Sequence, residues 1–461
     1  MRTLIALLGL LLALPAASAP EIRLPPFQRE TLPGGATLLL MPRHDVPMVA
    51  MSVRIRGGSL ADPDGREGTA ALLAELLQKG AGERDAAAFA EAVEAAGGWI
   101  GVEAEREAID LGARFLARDA GLMVELVADL LRRPRLSPEE FEKVRTRAIQ
   151  SIQAAKDSDP NGLIDSYGHA WLFGRHPYGR PPGGDETSLG RIELADLERF
   201  RAQHLGADRA ILAVVGDFEP AAMRESIRKA LAGWPAAEAP LPVVEPAPRQ
   251  KGRRVLLVDK PGATQTYFWL GNVGASATDP QRTAQDLVQV VFGGRFTSML
   301  NTALRVESGL TYGARARIER LAQPGAAAIS SFTRTDATAK ALDLALEVID
   351  RLHRKGIDPS LLDSGRNYIL GQFPPRLETQ GQLADELTRL ELYGLGTDAI
   401  EGLPQRLAAL DPATVNAARS VFPTRDDLAI VLIGDAASIR DQAARYGKVT
   451  EMKLADPRFA P

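Results

Sequence analysis

Arg305 and Tyr312 stand seven residues apart in the run LRVESGLTY at 304–312, with Gly309-Leu310 between them. Arginine presents a rigid fork of donors and tyrosine a phenolic donor, and such groups can hold a scissile carbonyl and stabilise the oxyanion that develops on it. Taken alone, the two residues admit a plainer reading. Arg305 could close a helix-end carbonyl and Tyr312 could pack on a sheet. Other chemistry is scarce. The five histidines are His44, His169, His176, His204 and His353, and cysteine is absent, which excludes disulfides, thiolate zinc sites and cysteine nucleophiles. His169 and His176 stand seven apart with Gly174 between them and Pro177 following, a spacing read as structural or surface. No G-x-S-x-G occurs, and Gly293-Gly294 lacks the rest of a phosphate loop, so it is expected to form a tight turn before the helix bearing Arg305. A net charge of −4 gives no sign of a nucleic-acid surface.

Four segments carry a likeness. GTAALLAELLQKG at 68–80, HPYGRP at 176–181, PGATQT at 261–266 and LRVESGLTY at 304–312 resemble the M16 metallopeptidase family, relatives of insulinase, pitrilysin and mitochondrial processing peptidase. In active members the first segment resembles G-x-A-H-x-x-E-H-x-x-x-K-G. Two histidines four apart on one helical face can hold zinc, with the glutamate beside them as general base. Here Ala71, Ala74 and Glu75 stand where His, Glu and His would be. The family's third ligand, a glutamate, falls near Gln150, in a stretch TRAIQSIQAAK without a carboxylate. The resemblance therefore implies a chain that binds no catalytic zinc itself. It also implies that Arg305 and Tyr312, which keep R-x-x-x-G-L-x-Y, could act in trans, completing the site of a partner subunit that carries HxxEH and the zinc. Peptide is the implied substrate, and Gly97-Gly98 would precede the edge strand on which an extended peptide adds. Trp99, beside it, reads as packing, and the charged run Arg317–Arg320 as a solvated strand end. The alternative is a non-catalytic peptide-binding or scaffold pseudo-peptidase.

The elements that must position these residues recur. Phe115 and Asp119 in FLARD match Phe332 and Asp336 in FTRTD, and Ser59 matches Ser276, each 217 residues on. AVVGD at 213–217 returns as VLIGD at 431–435. Length alone suggests about three domains of roughly 150 residues; a period this long instead implies two related lobes. The expected fold is α+β: two homologous lobes, each a mostly antiparallel sheet with helices packed on one face. Strands are expected at 37–41, 49–56, 100–115, 210–215 and 255–258, and helices at 67–79, 119–132 and from Pro138. The expected division is a signal peptide at 1–19, a first lobe at 20–234, a Pro/Ala-rich linker at 235–252 and a second lobe at 253–461. The signal reading rests on Arg2, an apolar run from Leu4 to Leu14 and the A-x-A of Ala17-Ser18-Ala19, with Pro20 an awkward neighbour for cleavage. It makes the protein exported, most simply periplasmic, with no membrane span.

Overall fold

The computed structural model describes residues 22–461; the expected signal peptide lies outside the described residues. The first half contributes strands β1 (Gln28–Thr31), β2 (Thr37–Pro42), β3 (Met48–Arg56), the short pair β4 (Gly80–Ala81) and β5 (Arg84–Asp85), then β6 (Trp99–Ala104), β7 (Ala108–Leu116) and β8 (Ala210–Gly216). Its helices are α1 (Thr69–Leu77), α2 (Ala86–Ala95), α3 (Ala120–Arg132), α4 (Pro138–Ser158), α5 (Ile164–Phe173), α6 (Glu186–Arg191), α7 (Leu194–His204) and α8 (Pro220–Ala230). Residues 235–252 carry no helix or strand. The second half follows with β9 (Arg253–Asp259), β10 (Gln265–Val273), α9 (Arg282–Gln289), α10 (Met299–Asn301), β11 (Ala314–Arg320) and β12 (Pro324–Arg334). It continues through α11 (Thr338–Lys355), α12 (Pro359–Gln372), α13 (Gln380–Leu392), β13 (Leu428–Gly434) and β14 (Lys448–Lys453).

Two six-stranded sheets result, in the orders β1-β2-β8-β3-β7-β6 and β11-β12-β10-β13-β9-β14. Read from opposite ends, five strands correspond one to one. The sixth differs: β1 adds antiparallel to β2 from the N-terminal side, whereas β14 adds parallel to β9 from the C-terminal end. Antiparallel pairing dominates, with β2–β8, β9–β13 and β9–β14 parallel.

The central strands β8 (AILAVVG) and β13 (LAIVLIG) are buried at every residue. Strands so apolar need cover on both faces. Helices of the same half cover one face; Leu72, Leu73, Leu76 and Leu77 of α1 point into that core as their spacing predicts. The opposite face is covered by a helix from the other half, for which the sequence gives no sign. Leu383, Ala384 and Leu387 of α13 pack on Leu39, Met41, Ile211 and Val215 of the first sheet. Tyr167, Ala170 and Phe173 of α5 pack on Leu256, Trp269, Val431 and Ile433 of the second. At Gly168 of α5 a Cβ would lie 2.6 Å from the Trp269 ring, so only glycine permits that approach.

Two expectations are corrected by the sheets. The FLARD/FTRTD match is one residue out of register. Phe115 pairs with Val49, whereas the strand position opposite Thr266, 217 residues after Val49, is Thr333. Phe115 is buried in the first core, but Phe332 faces the other side and packs on Tyr267 at 5.9 Å. Side chains alternate along a strand, so a one-residue slip moves a matching letter to the opposite face. The second correction concerns Arg317–Arg320, of which only Arg317 is solvated. Ile318 is buried, Arg320 donates to Asp286 at 2.7 Å, and Glu319 pairs with His169 at 2.8 Å and with Arg106 at 3.3 Å.

Glu319 belongs to a seam where the β6–β7 turn meets the β11–β12 turn. Glu107 accepts the Ala322 N–H at 2.9 Å and the Tyr178 hydroxyl at 2.7 Å, and that hydroxyl accepts the Gln323 N–H at 3.0 Å. Burial opposes the Glu319 charge, but the facing His169 and Arg106 outweigh it and hold its carboxyl well below the ordinary carboxylate range. The two halves are thereby tied at their corresponding hairpin tips.

Candidate functional site

The positions that the resemblance aligns with a zinc site lie on α1 and α4 of the first half. Helix α1 starts where Gly68 takes φ +98, and the buried Asp62 carboxylate accepts the N–H groups of Gly68 at 2.7 Å and Ala70 at 2.8 Å. Burial, partly offset by those bonds, pushes the Asp62 carboxyl up to about 8. The helix lies against α4 and against the edge strand β6, and Gln78 ties it to that strand by donating to the Val102 carbonyl at 2.9 Å. Ala71 is half-buried, Ala74 is buried, Glu75 is exposed, and Gln150 is exposed on α4. Two methyl groups, one carboxylate and one amide do not fit a zinc ion, which takes three nitrogen, sulfur or carboxylate ligands in a catalytic site. Among the described residues there is no group of three His, Cys, Asp or Glu that could hold a metal. His169 and His176 are engaged elsewhere: His169 Nδ1 meets the Asp165 carbonyl at 2.7 Å, and His176 Nε2 meets the Glu245 carbonyl at 2.7 Å.

Beside α1, β6 is an edge strand of the first sheet, as the Gly97-Gly98 reading expects. Trp99 is 48% exposed, and its ring lies over Gly101 and Gly112 with the Arg114 guanidinium 4.7 Å from its centroid.

In the second half, α9 runs into a π-helical turn, Val290–Gly294, and α10 into another, Thr302–Glu307. Gly293-Gly294 thus lies inside a wide helical turn rather than forming a tight one. A Cβ on Gly293 would lie 2.5 Å from Ala316, so the glycine lets this turn press on β11. Arg305 sits in the second π turn. Gly309, at φ +62, stops it; its N–H donates to the Arg305 carbonyl at 3.1 Å, a left-handed cap that glycine adopts without a Cβ clash. The N–H groups of Leu310 and Thr311 both reach the Leu304 carbonyl, at 2.9 and 3.2 Å. The Thr333 hydroxyl donates to the Leu310 carbonyl at 2.8 Å, and Ser331 donates to the Gly313 carbonyl at 2.9 Å. The loop that carries Tyr312 into β11 is therefore anchored on both sides.

The two side chains are not anchored in the same way. Tyr312 is 79% exposed, so it does not pack on the sheet. The Arg305 side chain is exposed and makes no hydrogen bond or ion pair with another described residue; its guanidinium carbon lies over the ring of Phe296, 4.8 Å from the centroid. Neither plain structural role suggested by the sequence applies. Phe296 was missed from sequence, and its only signal is an aromatic residue in the loop of GGRFTS. Val306, on the same turn, adds a further exposed apolar side chain.

A cavity of about 1020 Å³ opens between the halves, walled by Arg54, Asp110, Arg317, Arg389 and Tyr393 among others. Its charges are largely spent on one another, as in Arg54–Asp110 at 3.4 Å, and burial pushes the Asp110 carboxyl up to about 6. Arg305 and Tyr312 lie outside its wall. This cavity and the candidate chemistry are separate, and the free donors are the better guide to function.

Comparison with known proteins adds the following. The sequence model for Insulinase (Peptidase family M16) matches residues 39–185, and that for the Peptidase M16 inactive domain matches residues 191–369. A Streptomyces coelicolor protein described as an uncharacterized zinc protease is 24% identical, covering 88% of this chain and 89% of its own. The Helicobacter pylori non-peptidase homolog YmxG is 24% identical over 73% of this chain and 77% of its own. In three dimensions the chain is similar to a crystal structure described as a peptidase M16 inactive domain from Pseudomonas fluorescens. The TM-score is 0.83 at 23% identity, with 89% of this chain and 98% of that one covered.

Proposed function

The chain belongs to the M16 peptidase family, as a member without the zinc-binding residues, and we propose that it is the non-zinc subunit of an exported heterodimeric peptidase. A partner subunit supplies HxxEH and the zinc. This chain supplies Arg305, Tyr312 and half of the chamber that encloses the peptide. The observation that carries the reading is the pairing of a first-half helix with no ligands and a second-half Arg/Tyr pair whose donors are unspent and turned to solvent. An arginine and a tyrosine held on anchored backbone, with free donors, are suited to a carbonyl brought by another molecule. The roles follow from their chemistry. The Arg305 fork holds the peptide carbonyl, and the Tyr312 hydroxyl donates to the oxygen as negative charge develops on it.

The test is reconstitution. Hydrolysis of a fluorogenic peptide is expected only when this chain is mixed with an HxxEH-bearing M16 partner, with one zinc per heterodimer residing in the partner. Activity of this chain alone, or equal activity of the partner with and without it, sinks the reading and favours a peptide-binding pseudo-peptidase. Export rests on Leu4 to Leu14 and the A-x-A at 17–19. Among the described residues no helix is long and apolar enough to cross a membrane. Mature protein from an envelope fraction is expected to begin between Ser18 and Glu21, and an intact Met1 on cytoplasmic protein refutes it.

A further inference from the structure

Arg305 sits on a long, flexible side chain, and what orients it is not part of R-x-x-x-G-L-x-Y. Phe296 lies nine residues earlier, in the loop between the first π turn and α10, and is 60% exposed. That loop is held firmly at its backbone. Asn301, itself buried, donates from Nδ2 to the Phe296 carbonyl at 2.6 Å and accepts the Ala314 N–H at 3.3 Å, joining the loop to the start of β11 beside Tyr312. The preceding Arg295 donates to the Ser364 hydroxyl of α12 at 2.7 Å. With its backbone fixed, the Phe296 ring stands out from the surface, and the Arg305 guanidinium carbon lies over its face, 4.8 Å from the centroid.

The mode of holding matters. An arginine oriented by a carboxylate spends its N–H donors on it, as Arg320 does on Asp286 and Arg389 on Glu386. An arginine oriented by an aromatic face is held through its π surface, and the donors in the guanidinium plane remain free. A side chain that must donate to the carbonyl of a bound peptide needs that second arrangement.

We propose that Phe296 is a positioning residue for the trans-acting site, its ring pre-orienting Arg305 while leaving every guanidinium donor available to the peptide. The proposal rests on the heterodimer reading above. Its test uses the reconstituted heterodimer and the isolated chain together. Phe296→Ala and Phe296→Leu are expected to lower kcat/KM by about 3- to 30-fold, the range for an aromatic–guanidinium contact from exposed to desolvated. Phe296→Leu keeps apolar bulk without the ring, so a merely space-filling role would leave it fast. Phe296→Trp is expected to stay within about twofold of wild type, because indole is the better cation-binding face. In an Arg305→Ala background, Phe296→Ala should cause no further loss. In the isolated chain, the Arg305 Nε–H resonance should show a ring-current shift that vanishes in Phe296→Leu. Full activity of Phe296→Leu while Arg305→Ala and Tyr312→Phe are slow overturns this inference alone. Full activity of all three overturns the heterodimer reading with it.

Discussion

Replacing Tyr312 with phenylalanine removes one oxygen from a side chain that is 79% exposed, and this exposure lets the chemical effect be read without a folding effect. In the free chain the substitution should be silent, because surface changes away from buried partners usually fall within about 0.5 kcal/mol. The backbone that presents the residue is held by Thr333, Ser331 and Leu304, none of which touches the phenol oxygen. Under the proposed function, the missing hydroxyl is one of the donors aimed at the developing oxyanion in the heterodimer. Losing one such donor costs about 10²–10³ in rate, roughly 3–4 kcal/mol. Most of that loss should fall on kcat, since a bond stronger in the transition state than in the bound peptide lowers kcat and kcat/KM together. The assay is steady-state hydrolysis of a fluorogenic peptide, with assembly checked by gel filtration and stability by thermal unfolding. Arg305→Lys should be damaging as well, because an ammonium cannot reproduce the guanidinium fork. Equal rates for wild type and both variants, with intact assembly, would refute the reasoning and leave the pair as surface residues.

Three further outcomes are expected. Elemental analysis after dialysis should find no stoichiometric zinc on the purified chain; the triple substitution Ala71→His, Ala74→Glu, Glu75→His should bind zinc poorly and tighten once Gln150→Glu is added, since a third ligand is needed. Gly168→Ala should destabilise by about 1–3 kcal/mol in urea unfolding, because its methyl would press on the Trp269 ring 2.6 Å away. Gly121→Ala on α3, where nothing lies within 4 Å, should be neutral or stabilising by up to about 1 kcal/mol, and equal losses at both sites would contradict the packing account. His204, its proton disfavoured by burial and by Arg209, is lowered to about 4 in the folded chain. The unfolded chain then binds the extra proton between about 6.5 and 4, so stability should fall as pH drops through that window. That part of the slope should be missing in His204→Gln, and an unchanged profile would remove His204 as its source.

Local chemistry and period were legible in the sequence. That Ala71, Ala74, Glu75 and Gln150 stand where the resemblance would put two histidines and two glutamates is a statement about residue types, and residue types need no coordinates. The survival of Arg305, Gly309 and Tyr312 is of the same kind. Helices α1, α3 and α4 and strands β2, β3, β8 and β9 fall close to where apolar spacing, Pro138 and the turn residues put them. These signals are short-range, and a helix face or strand alternation is written in adjacent residues.

What pairs across distance was not legible. The FLARD/FTRTD match is a likeness of letters, and only the hydrogen-bonded register places Thr333, not Phe332, at the position of Phe115. The charged run ending in Arg320 looks like solvated surface until His169 and Arg106, both from the first half, are brought against Glu319. Likewise α5 and α13 each cover the sheet of the other half, and no local pattern announces it. Burial and charge pairing are properties of neighbours in space, and chain separation carries no information about them once loops are long. Tertiary structure alone decided that Arg305 has an aromatic face beneath it and no ion-pair partner among the described residues, and therefore that its donors are unspent there.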